Sequence, residues 1–326
     1  MLSNAEKRRE YDKLLFGELS VQPPWRRWLF WSNLWSRETF YLLALYYSVL
    51  LLLRASVMAA AGRAAISRVT GGGGSVLQEA PIATSGHHTV AFGVDFVKAF
   101  GRGDDGQLGA REGPIGTTAL RPSHATMHGL PAGVHVSAVV TGLAHTVILS
   151  VDGAVWACGR NTYGQLGLTD KIDRNQLTIV CDPSRGADPV AWVTAGHAHT
   201  VLVTVDGEAF GTGSNEFGQI GQDADNKLCS QLSAVEPGRR FKMAAAGNSH
   251  TALLCRSSCA VWACGRNNVA QCGGSPSSAK HKCVAVEGLP SSGIQMIAAG
   301  GAHTVAATST AVYGWGENRD RQISGN

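Results

Sequence analysis

Hydrophobic and polar positions alternate along His145-Thr146-Val147-Ile148-Leu149-Ser150, the period of an extended strand. Asp152-Gly153 follows, a pair that favours the tight turn of a hairpin because both turn positions need positive φ. Ala154-Val155-Trp156-Ala157 reads as the returning strand. Gly159 removes a side chain where strands crowd, and Gly164 and Gly167 permit a compact loop around Gln165. The unit preceding this hairpin, Val139-Val140-Thr141, predicts one more strand.

The unit recurs. Gly-x-x-His-Thr or its variant stands at Ser85–Thr89, Gly142–Thr146, Gly196–Thr200, Gly247–Thr251 and Gly300–Thr304. The His-Thr pairs begin at 88, 145, 199, 250 and 303, a spacing of 51 to 57 residues. Gly-Gln loops follow at Gly106-Gln107, Gly164-Gln165 and Gly218-Gln219, with degenerate versions at Ala270-Gln271-Cys272-Gly273 and Arg321-Gln322-Ile323-Ser324. A fixed period of this length predicts an array of four-stranded blades, each covering its neighbour's faces.

The Gly-x-x-His-Thr, Asp-Gly-x-Val-Trp and Gly-Gln-Leu-Gly segments together resemble the regulator of chromosome condensation repeat family. The resemblance covers residues 76–326 and implies a β-propeller. That family has seven blades where five are legible in this chain. The expected fold class is all-β: a five-bladed propeller with four-stranded blades. The last copy lacks sequence for a fourth strand, and Ser75-Val76-Leu77-Gln78-Glu79-Ala80-Pro81 looks like the missing piece. The expectation is that 76–80 pairs beside 311–316 and closes the ring.

The segment ahead of the repeats changes the picture. Residues 1–38 read as a helical, interfacial tail. Ser3 and Glu6 form a capping-box pattern, and Trp25, Trp28, Trp31 and Trp35 recur near helical spacing among Arg26, Arg27 and Arg37. Residues 39–62 carry no charge except the interrupting Arg54, and predict a single transmembrane helix preceding the array. The alternative is a helix buried in a complex. Arginine placement puts the N-terminus in the cytosol or matrix and the repeats on the opposite side. Residues 63–74, with Gly71–Gly74, read as a flexible linker, and 75–326 as the repeat domain.

Composition narrows the chemistry. The net charge of +4 over 326 residues is mild and scattered, which argues against a nucleic-acid partner. The eight cysteines show no paired zinc spacing. Cys158 and Cys264 hold equivalent strand positions and read as core; Cys255 and Cys259 flank a turn and admit a disulfide. Gly101-x-Gly103-x-x-Gly106 spells a dinucleotide fingerprint but is one copy of the blade loop, without a βαβ context. Arg102-Gly103-Asp104 spells an adhesion tripeptide by the same accident. His87-His88 and His197-x-His199 invite a metal reading, yet His88, His145, His199, His250 and His303 recur once per blade. They read as buried polar anchors, hydrogen-bonded to backbone of their own or the next blade. No catalytic, cofactor-binding or metal residue is assigned, no cofactor is expected, and the chain reads as a non-enzyme.

The resemblance implies an interaction platform. Combined with the apolar segment, it suggests a non-catalytic accessory or scaffold subunit of a membrane complex. A respiratory complex of the mitochondrial inner membrane is the expected setting, with integral membrane subunits and lipid as partners. The alternatives are a membrane-tethered guanine-nucleotide exchange factor for a small GTPase, as in the founding member, or a stand-alone sensing propeller.

Overall fold

The computed structural model describes residues 81–93, 96–110, 120–222 and 227–323. These residues fall within one compact unit, Thr70–Asn326. The interfacial tail, the apolar span, the linker and the closing strand expected at 76–80 lie outside them. Among the described residues no helix is long and apolar enough to cross a membrane.

Among the described residues nineteen strands form five antiparallel sheets. The first holds β1 (Ile82–Thr84), β2 (His88–Phe92), β3 (Val97–Arg102) and β4 (Leu120–Thr126). The second holds β5 (Val136–Thr141), β6 (His145–Ser150), β7 (Val155–Gly159) and β8 (Arg174–Cys181). The third holds β9 (Val190–Ala195), β10 (His199–Thr204), β11 (Ala209–Ser214) and β12 (Leu228–Val235). The fourth holds β13 (Phe241–Ala246), β14 (His250–Cys255), β15 (Val261–Asn267) and β16 (Ser277–Ala285). The fifth has three strands, β17 (Met296–Ala299), β18 (His303–Ala307) and β19 (Val312–Gly316). The expectation of four strands per sheet holds for four sheets, and the fourth strand expected for the last, 76–80, lies outside the described residues.

Each sheet is a meander, with strands neighbouring in chain order. The predicted Asp152-Gly153 turn joins β6 to β7, and Gly153 has φ 86°. The second strand of each sheet packs on the first strand of the next: β2 on β5, β6 on β9, β10 on β13 and β14 on β17. No strand of the last sheet packs on the first in this way among the described residues. The ring closure expected from the sequence is thus not formed by them.

Because both faces of a middle sheet meet a neighbour, β6, β10 and β14 are buried at every position. Alternation in the sequence therefore separates two packed faces rather than a wet face from a dry one. Ile148 packs toward Val139, Trp156 and Leu108, while Val147 and Leu149 face Val193 and Leu202. Burial of a Leu or Ile side chain contributes about 1.5–3 kcal/mol, so each sheet-to-sheet seam is a substantial share of the stability.

The two degenerate loops keep the geometry of the others. Gly164 and Gly218 sit at φ 80° and 81°, and their counterparts Ala270 and Arg321 sit at φ 64° and 60°. The next residue's side-chain carbonyl clamps each loop. Gln165 Oε1 accepts from the Tyr163 amide at 3.0 Å, and Gln271 Oε1 from Val269 at 3.0 Å. Gln322 Oε1 accepts from Asp320 at 2.9 Å. An asparagine completes the clamp: Asn161, Asn267 and Asn318 accept from the amides of Leu166, Cys272 and Ile323. The Asn and Gln hold the turn where its glycine has been lost.

Candidate interaction surface

The repeated histidines are the polar interior of the seams. His88 Nε2 lies 2.9 Å from Thr146 Oγ1, and His145 Nε2 lies 3.0 Å from Thr200 Oγ1. His199 reaches Thr251 at 3.0 Å and His250 reaches Thr304 at 2.9 Å. Each threonine then donates its one proton back to the preceding sheet. Thr146 Oγ1 donates to Gln107 O at 2.8 Å and Thr200 Oγ1 to Gln165 O at 2.7 Å. Thr251 Oγ1 donates to Gln219 O at 2.6 Å and Thr304 Oγ1 to Gln271 O at 3.0 Å.

This donor count fixes the tautomer. A carbonyl cannot donate, so the hydroxyl proton is spent on Gln O, and the hydroxyl must accept from the ring. The proton therefore sits on Nε2, and Nδ1 is the bare acceptor. Nδ1 of His145, His199 and His250 is buried without a partner. Beneath each ring lies a glycine: a Cβ at Gly142 would come within 2.1 Å of His145 Cε1 and 2.6 Å of Gly196 O in the next sheet. The first sheet has Ser85 at this position, and its hydroxyl sits 3.0 Å from His88 Nδ1 as donor. Protonating His145, His199 or His250 at Nδ1 would bury an N–H with no acceptor. Burial pushes His145 and His199 down to about 3, and His88 and His250 down to about 4.

The recurring histidine is thus a structural link between sheets, the buried polar anchor its spacing implied. Its partner differs from the expected one: it is a neighbouring hydroxyl, which carries the contact on to backbone. The threonine after each histidine and the glutamine of each loop are the residues the sequence reading missed. Their signal was recurrence at fixed offset from the histidine. Cys158 and Cys264 serve the same carbonyls, with Sγ 3.7 Å from Gln107 O and 3.6 Å from Gln219 O. Burial pushes the Cys158 thiol far up, and the Cys283 thiol together with burial does so for Cys264. Cys255 and Cys259 are both free thiols, so the disulfide admitted by the sequence is not formed.

The ends of the second-to-third hairpins form one face of the array. The Gly-Gln loops form the other, and side chains there reach between sheets. Arg160 of the second sheet pairs with Asp105 of the first at 3.1 Å. Arg266 of the fourth lies over the Phe217 ring of the third, 5.1 Å from its centre. Arg102 pairs with Asp104 within its own loop at 2.6 Å. Burial raises the Asp105 carboxyl, opposed by Arg160, and burial with Arg160 lowers nearby His197. Tyr163 and Ile172 stand exposed on the same face at 43% and 66%. The Gly101–Gly106 run and Arg102-Gly103-Asp104 fall in this loop layer, as expected. Among the described residues no three His, Cys, Asp or Glu side chains gather as metal ligands. The face presents Arg266 over the Phe217 ring together with the exposed Tyr163, side-chain types enriched in the energetic centres of protein interfaces.

The repeats are of a recognised class. Regulator of chromosome condensation (RCC1) repeat profiles match residues 152–203 and 260–307, and a second profile of the same description matches 136–165 and 193–219. The chain is 31% identical over 245 residues to the ultraviolet-B receptor UVR8 of Arabidopsis thaliana, covering 72% of this chain and 52% of the receptor. It is 29% identical over 209 residues to the human probable E3 ubiquitin-protein ligase HERC4, covering 63% of this chain and 19% of the ligase. It is 28% identical over 204 residues to the mouse secretion-regulating guanine nucleotide exchange factor, covering 58% and 42%. The chain thus spans about half of the plant receptor and a fifth of the ligase, and ligase activity does not transfer with so small a share.

Human WBSCR16 superposes with TM-score 0.62 at 21% identity, over 73% of this chain and 61% of that one. The yeast protein Prp20p, in a structure described with its binding to Gsp1p and histones, superposes with TM-score 0.53 at 18% identity, over 72% and 71%. At these identities the likeness establishes the fold. Nothing in these relatives supports a respiratory-complex subunit or an integral membrane partner, and the exchange-factor alternative stands nearer to them.

Proposed function

We propose that this chain is a non-catalytic regulatory propeller that binds a protein partner through its loop face, around Arg160, Tyr163, Phe217 and Arg266. The observation that supports this most is the layer of arginine and aromatic side chains contributed by successive sheets to one face. A photo-cross-linking residue placed at 163 or 217 of the full chain tests it. The reading expects one stoichiometric protein adduct from these sites and none from 206 or 310 on the opposite face. Adducts from the opposite face alone would refute it.

A second reading is narrower: promotion of nucleotide exchange on a small GTPase. Its support is the resemblance to a secretion-regulating exchange factor and to Prp20p, whose structure is described with Gsp1p binding. Acceleration of guanine-nucleotide release from a panel of small GTPases tests it, and release at the spontaneous rate throughout would remove it. We read residues 39–62 as a tether that holds the propeller at a membrane. Resistance of the full chain to alkaline extraction from membranes checks that reading.

A further inference from the structure

The residue after the positive-φ glycine near the end of each third strand holds the same place in all five sheets. Arg102, Arg160, Ser214, Arg266 and Glu317 donate their amides to His87 O, Ala144 O, Ala198 O, Ser249 O and Ala302 O, each at 2.8 or 2.9 Å. From this place a long side chain reaches the loop of the preceding sheet, at the residue two positions before the clamp glutamine. Arg160 meets Asp105 at 3.1 Å, and Arg266 lies over Phe217, 5.1 Å from the ring centre. Between the fourth and fifth sheets the two residues are Val269 and Glu317, which offer neither a ring nor opposite charges.

Between the second and third sheets the pair is Tyr163 and Ser214. The backbone is packed there as in the next seam. A Cβ at Gly213 would come within 3.1 Å of Gln165 Cα, as one at Gly265 would of Gln219 Cα, and Thr212 Oγ1 donates to Gly164 O at 2.8 Å. Serine is too short to cover a ring, and its hydroxyl accepts from Gln219 Nε2 at 3.2 Å. Tyr163 is 43% exposed, whereas Phe217, at the same place under Arg266, is half-buried. Among the described residues no cationic side chain lies over the Tyr163 ring. Carboxylates stand on both sides of this seam. Asp173 accepts from the Asn161 amide at 2.6 Å, and Asp170 accepts from Asn161 Nδ2 at 3.0 Å and pairs with Arg174. Glu216, two residues past Ser214, is exposed.

We propose that the exposed Tyr163 ring is a docking point for an arginine side chain of the partner protein. The guanidinium takes the place over this ring that Arg266 takes over Phe217, where the chain's own third sheet offers only Ser214. Attraction between the cation and the ring face holds it, and the neighbouring carboxylates favour a cation there over an anion. This inference rests on the loop face as the interface and names what one part of that face recognises.

The test uses the full chain with isotope-labelled tyrosine rings and backbone amides. The probe is N-acetyl-arginine amide, with N-acetyl-citrulline amide as the uncharged control. A saturable shift of the Tyr163 ring signal is expected with the arginine probe and not with the control. Ser214→Arg supplies the cation from within the chain, and is expected to weaken the probe by roughly threefold to fivefold with the thermal midpoint unchanged or raised. Tyr163→Leu keeps an apolar surface side chain, and is expected to weaken the probe by a similar factor, read at the Gly164 amide. No saturable shift, an equal shift with the control, or binding indifferent to both variants would each overturn the proposal. A protein adduct from a cross-linking residue at 217 that survives both variants undiminished would also overturn it, while leaving the loop face as the interface. No adduct from 217, with the arginine shift at Tyr163 intact, would remove the reading of the face and keep this site.

Discussion

The second sheet and the fifth carry nearly the same sequence motif and differ in almost everything it achieves. In the second, β6 and β7 are buried throughout, and His145 is fully enclosed between Gly142 and the next sheet. In the fifth, β18 and β19 are half-buried, and Val312 and Met296 stand 75% and 61% exposed. The motif specifies the hairpin. The neighbouring sheet supplies the burial, and with it most of the energy. A repeat of this kind is therefore stable in proportion to its neighbours rather than to its own residues.

Acid should break the seams first, and by the largest margin. The four link histidines have folded-state values of about 3 to 4 against 6.5 unfolded. Between those values the unfolded chain binds more protons than the folded one, so stability rises with pH and is lost as pH falls. At roughly pH 4 each ring costs on the order of 3 kcal/mol, and four together, about 12 kcal/mol, are comparable with the whole stability of a domain. The array is expected to unfold near that pH, with proton uptake approaching one per link. Urea midpoints measured across the range, together with potentiometric proton counting, check this.

The same comparison is sharpened by paired substitutions. His199→Ala opens a cavity in a closed seam and strips Thr251 of its donor, an expected loss of about 3 kcal/mol. His303→Ala, in the half-buried last sheet, is expected to cost less than about 1 kcal/mol. Equal losses in urea titrations would contradict the contrast. One step smaller, Gly196→Ala drives a Cβ to 2.2 Å from His199 Cε1 and 2.4 Å from Gly247 O, and is expected to cost about 2 kcal/mol. For Gly300→Ala the three nearest atoms all belong to the half-buried His303 ring rather than to backbone of another sheet, and it should cost less. Smallest of all, Ala270→Gly and Arg321→Gly should stabilise by up to about 1 kcal/mol each, because both residues sit in the left-handed region. Thermal midpoints are the readout.

The fold was legible because its signals are local and repeated. Asp152-Gly153 made its turn, the strand runs fell where alternation put them, and five copies gave five sheets. What the sequence hid were relations between copies. A threonine beside a histidine looks like part of one strand, yet its hydroxyl answers the histidine of the preceding sheet. Ala270 and Arg321 looked like decayed loops, but the clamp belongs to Asn267 with Gln271 and to Asn318 with Gln322, and both pairs survive. The loop face was harder still. Arg266 and Phe217 lie 49 positions apart in different repeats, and only the stacking of sheets brings them together. The outer edge of β19 was read as a place for residues 76–80, which lie outside the described residues.

The central claim is that neutral histidines, protonated at Nε2 alone, join each of the first four sheets to the next. Imidazole nitrogen shifts in the full chain, followed from about pH 8 down to about pH 5, test it most directly. The account predicts Nε2–H with an unprotonated Nδ1 for His145, His199 and His250 throughout, unchanged until the array unfolds. An Nδ1–H tautomer, or a doubly protonated ring within the folded protein at the acid end, would contradict it.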